Sequence, residues 1–122
     1  MDFGLQNVDC GFRIAGCGLL WNSDFGAKKM NSSDMKRKTM QFGLDIIKLV
    51  ESLPRGRTAD VVGKQLLRSG VSVGANYRSA CRARSTADFI SKMGIVEEEA
   101  DESMYWMELL VESGIVGFKA VE

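Results

Sequence analysis

Between Met35 and Gly114 an apolar pattern of helical period is interrupted only around Pro54 to Gly56 and again around Ser85. A chain of this kind folds as three long helices joined by tight connections. Met35, Phe42, Ile46, Leu49, Val50 and Leu53 share one side of the first segment, and Lys38, Gln41, Asp45, Lys48 and Ser52 fill the other. Asn31, Ser32, Ser33 and Asp34 supply N-cap chemistry before it. Pro54 disfavours helical geometry in Leu53, and Gly56 supports a turn, so this helix is expected over 35–53.

Thr58 is the expected N-cap of a second helix over 58–84, with Asp60 in its first turn where the helix dipole favours an anion. Its interior is rich in small residues (Gly63, Ser69, Gly70, Ser72, Gly74, Ala75). Each glycine weakens intrinsic helicity by up to about 1 kcal/mol, so tertiary packing must compensate. Ser85 and Asp88 have capping-box spacing at the start of a third helix, expected over 86–113. Phe89, Met93, Val96, Ala100, Met104, Met107 and Val111 form its core stripe. The fold class is therefore all-α, an up-down helical bundle.

Charge is divided between the second and third helices. From Val61 to Ile90 there are five cations against one anion, net +4, and from Ser91 to Glu122 two cations against eight anions, net −6. With about 100° of rotation per residue, Lys64, Arg68, Arg78 and Arg82 fall in a sector roughly 80° wide, opposite the apolar stripe of Val62, Leu66, Val73, Tyr77 and Ala80. On the third helix Glu97, Asp101, Glu108 and Glu112 form a ridge along the core stripe. The whole chain is neutral, so any nucleic-acid contact has to come from this uneven distribution. Arginines in a row suit bidentate pairing with phosphate, and the alternative is that these cations meet the acidic helix across a helix or subunit boundary.

Other residues carry narrower expectations. Ile95, Trp106 and Leu109 point away from the core stripe of the third helix and are expected at an oligomer interface. Glu97 borders the apolar stripe, so a partly buried carboxylate there calls for Arg78, Arg82 or Asn76 as partner. Bundle metal sites built from carboxylates normally add Glu-x-x-His pairs, and the chain has no histidine. Cys81 has no histidine to activate it, and neither Ser69 nor Ser72 has a visible base. Gly70 and Gly74 lie within a helix with no following lysine, a pattern of close helix packing and not of a phosphate loop. No catalytic residue, metal, cofactor or small-molecule substrate is expected.

Residues 1–34 carry scattered glycines without sustained period and are expected to form a loosely ordered extension, including sequence read from a start upstream of Met30 or Met35. The alternative is that Phe12, Ile14, Leu19, Leu20 and Trp21 dock onto the bundle, which spans 35–116 and leaves 117–122 as a short tail. Three cysteines (Cys10, Cys17, Cys81) form no disulfide framework and fit the reducing cytoplasm. No apolar run approaches the 18 to 20 or so residues needed to span a bilayer.

The runs Leu66-Leu67-Arg68-Ser69-Gly70, Ser72-Val73-Gly74-Ala75-Asn76-Tyr77-Arg78, Ala80-Cys81-Arg82-Ala83-Arg84-Ser85, Glu98-Glu99-Ala100-Asp101-Glu102 and Tyr105-Trp106 resemble the four-helix-bundle family of 23S ribosomal RNA intervening-sequence proteins. The resemblance covers about 30–116. It implies a small bacterial bundle without enzymatic activity that assembles into a ring, typically a pentamer. Related accessory proteins of diversity-generating retroelements have a basic surface and work with a reverse transcriptase and its RNA. The chain departs from the family at both ends. Residues 1–29 have no counterpart, and the eight residues after Gly114 stand where the family continues into a fourth helix. The expected bundle therefore has three helices and a truncated fourth.

Overall fold

A computed structural model describes residues 30–117, and the expectations for 1–29 and 118–122 lie outside the described residues. Among the described residues every regular element is a helix: α1 (Ser32–Glu51), α2 (Arg57–Cys81) and α3 (Thr86–Glu112). α2 packs against both α1 and α3.

The capping chemistry sets the boundaries. α1 starts three residues before its expected position because Asn31 and Asp34 close a reciprocal capping box. The Asn31 side chain accepts from the Asp34 N–H at 2.9 Å, and the Asp34 carboxylate accepts from the Asn31 N–H at 3.4 Å. At the far end the Ser52 N–H bonds back to Lys48 and Leu49 before Pro54 stops the helix. α2 departs from expectation at its start: Gly56 is the N-cap and no side chain caps it, so Thr58 lies inside the first turn. α2 also ends at Cys81 instead of 84, where the Arg82 and Ala83 N–H groups tighten the last turn onto Ser79 and Ala80. Ser85 requires this early end, because as N-cap of α3 it is extended and its hydroxyl accepts from the Asp88 N–H at 3.0 Å. Gly114, at φ +79°, closes α3 in a Schellman arrangement, with Gly114 N–H on the Val111 carbonyl and Ile115 N–H on that of Leu110.

The core runs through all three helices: Phe42 and Ile46 from α1, Val62, Leu66, Val73 and Tyr77 from α2, Val96, Met107 and Leu110 from α3. Leu66 and Leu110 are fully buried. The small residues of α2 are the seam along which its neighbours approach. A Cβ placed on Gly70 would lie 2.8 Å from both γ-carbons of Ile46, and one on Gly63 would lie 3.1 Å from Leu53. The α3 stripe corrects the sequence expectation. Phe89 is 40% exposed, whereas Leu110, outside the expected stripe, is fully buried. Ser103 and Leu110 sit at the centre of the buried arc, and a serine in that position hides the true face from an apolar-pattern reading.

Two glycine substitutions separate packing from propensity. Gly70→Ala forces a methyl onto the stiff, β-branched Ile46, and is expected to destabilise the fold by about 1–3 kcal/mol. Gly94→Ala enters open space within α3, and is expected to stabilise it by about 0.5–1 kcal/mol through helix propensity. Thermal denaturation followed by circular dichroism measures both.

Candidate interaction surfaces

Four cations were expected to act together on α2, and one of them is already engaged. Arg68 reaches across to α3, where its guanidinium pairs with Glu99 at 3.3 Å and with Glu102, while its Nε donates to Gln65 on its own helix. The Trp106 indole N–H donates to the same Glu102 carboxylate at 3.1 Å. Beneath this strap the hydroxyls of Ser69 and Ser103 meet at 3.0 Å, both fully buried, with Ser69 donating in turn to the Leu66 carbonyl. A polar contact inside and an ionic one outside therefore fix α2 against α3 at one level. The indole and Arg68 hold the Glu102 carboxyl below the usual carboxylate range, and the Glu102 hydrogen bond pushes the Arg68 guanidinium up.

Lys64 and Arg78 are exposed on the outer face of α2, Arg82 is exposed at its C-cap just past the last helical residue, and none of the three forms an ion pair among the described residues. The structure thus leaves three of the four cations on an open ridge. The carboxylates that meet Arg68 are Glu99 and Glu102, not those of the expected Glu97, Asp101, Glu108 and Glu112 ridge.

The expected burial of Glu97 is corrected. Glu97 is exposed, because it lies about 100° around the helix from Val96, which faces the core. Asn76 is half-buried but donates to the Ser72 carbonyl one turn back on α2, at 2.9 Å, and does not face Glu97. Of the three residues expected at an interface, Ile95 and Leu109 are exposed. Trp106 is half-buried, belongs to the Arg68 strap through its indole, and has Tyr105 edge-on at 5.0 Å between ring centres.

Sequence reasoning missed a second apolar stripe on α1. Met40, Leu44 and Ile47 face outward beside Val71 and Ala75 of α2, and with Gly43 and Gly74 they line a groove of about 280 Å³ that also contains Lys36 and Arg78. The signal was present, since Lys36, Met40, Leu44 and Ile47 recur at spacings of three and four. The neighbouring core stripe obscured it. Among the described residues there is no group of three side chains placed to hold a metal ion, and no helix is long and apolar enough to cross a membrane.

Among the described residues the chain is a small all-helical bundle with a central glycine-seamed helix and exposed apolar and basic outer faces. The profile described as 23S rRNA-intervening sequence protein matches residues 31–122, and the chain belongs to that family. It is similar to the crystal structure of a protein of unknown function from the S23 ribosomal protein family of Bacteroides thetaiotaomicron. The two are 41% identical with a TM-score of 0.66, over 70% of this chain and 80% of the other. No curated protein matches the chain.

The carboxylates of α3 give opposite contributions to acid stability. The folded-state pKa of Glu102 is depressed, so its contribution is complete above the ordinary carboxylate range near 4.3 and is lost as pH falls through the lower folded value. Asp88 behaves likewise, through the Arg84 N–H first and Lys92 second. Glu108 is exposed by surface area, yet partial desolvation first and the like charge of Glu112 second push its carboxyl upward. Its protonation therefore favours the folded state as pH falls. Melting temperature between about pH 6 and pH 3 is expected to fall less steeply for Glu102→Gln than for the parent. Glu108→Gln is expected to stabilise the fold slightly at neutral pH, by less than about 1 kcal/mol.

Proposed function

We propose that this protein is a non-enzymatic, oligomeric helical bundle of the cytoplasm that contacts structured RNA through phosphates, without reading sequence. Lys64, Arg78 and Arg82 are the contact residues. The observation that carries this reading is their exposure along α2 and at its C-cap with no carboxylate partner among the described residues. Arg68 is removed from the contact set and serves instead as the link to α3. The family's description, which names an intervening sequence of 23S rRNA, fits an RNA partner.

A second reading is favoured by the Arg68 strap itself. There a cation of α2 is already neutralised by acids of α3, and the remaining cations would do the same between subunits in a purely scaffolding ring.

The two readings separate by charge reversal. In the RNA reading, a labelled structured RNA binds with a log affinity that falls with log salt at a slope of about 2 to 3 per protomer, as expected for three phosphate contacts. Lys64→Glu with Arg82→Glu then weakens binding by more than about tenfold at low salt while light scattering reports unchanged assembly. Unchanged RNA affinity in that variant, or no binding by well-assembled parent protein at low salt, rejects the RNA reading. Loss of assembly in the same variant supports the scaffold.

A further inference from the structure

The α1–α2 groove places demands on whatever fills it. Met40, Leu44 and Ile47 along its α1 wall are 51%, 44% and 40% exposed, and Val71 and Ala75 form the opposite wall. From Lys36 to Ile47 the α1 wall runs for about 16 Å, or three helical turns. Lys36 and Arg78 are the charged residues lining it. An occupant about three helical turns long must therefore present apolar side chains flanked by anions.

The outward face of α3 has this character. Tyr105 is 54% exposed and Leu109 is exposed beside it. Glu98, Asp101, Glu108 and Glu112 are also exposed, and all six residues fall in a sector about 100° wide. Glu98 to Leu109 again spans about 16 Å. The acids of the C-terminal half of α3 are poorly balanced within one chain. The last turn of α3 contains no basic residue, so Glu108 and Glu112 stand at the negative end of the helix dipole, one turn apart. Arg68 pairs with Glu99 and Glu102, and Lys92 pairs with Asp88 at the other end of α3. Among the described residues no cation pairs with Glu108 or Glu112.

We propose that the α1–α2 groove of one copy receives the outward α3 face of a second copy, with Tyr105 and Leu109 against Met40, Leu44 and Ile47, and with Lys36 and Arg78 meeting Glu108 and Glu112. This names the partner surface for the oligomer in the function proposed above and rests on that reading. Within one chain α2 lies between the helix that builds the groove wall and the helix that fills it. Donor and acceptor faces are different surfaces, so the contact is heterologous: each copy receives one neighbour and enters another until a ring closes. Arg78 is then drawn into the subunit contact, and Lys64 and Arg82 remain for phosphate, which lowers the expected salt slope in the assembled protein to about 1.5 to 2 per protomer.

Sedimentation velocity of the full chain at tens of micromolar tests the contact, with circular dichroism on each sample. The parent protein is expected to sediment as a multimer. Lys36→Glu with Arg78→Glu, and separately Glu108→Lys with Glu112→Lys, are each expected to weaken association at least tenfold and leave mainly monomer with unchanged helicity. All four substitutions together exchange the charges and are expected to restore the multimer, which neither misfolding nor nonspecific aggregation would do. Should either double variant lose helicity, Leu44→Glu and Leu109→Lys provide the same comparison singly and combined. A groove variant that assembles like the parent, or a combined variant that stays monomeric while folded, overturns the proposal. A monomeric parent overturns it together with the oligomeric part of the function. RNA binding by Lys64→Glu with Arg82→Glu, measured separately, reports on the phosphate ridge alone.

Discussion

The close approach of α1 to Gly70 of α2 is the contact on which the remaining arrangement depends. With hydrogen at that position, Ile46 lies against the α2 backbone at a distance no β-carbon would permit. Ile46 and Phe42 then join Leu66 and Val73 in one core, and α3 closes the other side through Leu110 and Met107. A helix with this many small residues has weak intrinsic propensity. α2 is helical because both flanks are packed, and each flank can pack because its residues are small. Gly63 against Leu53 and Ser69 against Ser103 repeat the device toward α1 and toward α3.

The same close packing decides where charge can sit. Once Ser69 and Ser103 bring α2 and α3 together, Arg68 is within reach of Glu99 and Glu102, and the strap forms over the buried hydroxyl pair. The long side chain covers the junction with its stem and pairs at its tip. Such a pair at the surface adds little stability on its own, since solvent screens it. Its effect is to select: one of four similar cations is turned toward α3, and the other three stay unpaired among the described residues. Trp106 follows the same logic, because its indole donor is used by Glu102 and this holds the ring against the α2–α3 seam.

The three helices and their connections were legible in the sequence because Pro54, Ser85, Asp88 and Gly114 act locally. Asn31 with Asp34 was legible as capping chemistry, although the box placed the start of α1 earlier than the apolar pattern did. Thr58 misled, since an N-cap preference is a weak local signal and the Gly56 turn left it two residues too late. The partners of Arg68 were not legible. Glu97, Asp101, Glu99 and Glu102 are interchangeable in composition, and only the rotation of α3 against α2, set by Ser103 and Leu110, decides which pair comes forward. Glu97 was placed on the wrong side of that rotation for the same reason. The outer groove escaped notice because an apolar residue on a helix is assigned to the core by default, and α1 has two apolar stripes side by side.

The neutrality of the chain bears on how these surfaces act. A protein with no net charge exerts little long-range attraction on RNA or on a copy of itself, so both of the proposed contacts would depend on local fields within about a Debye length of 8 to 10 Å. At that range the basic ridge of α2 and the acidic half of α3 are separate partners, and phosphate and carboxylate compete for the same cations. Arg78 stands at the junction, since it belongs to the ridge by its helix face and to the groove by its neighbours Ala75 and Met40. An acidic helix seated in the groove as proposed would neutralise Arg78 and leave a narrower basic ridge. In a closed ring that ridge would recur once per subunit, so weak contacts of two phosphates each would act together on one RNA. Repetition would then supply the affinity that a single neutral protomer lacks.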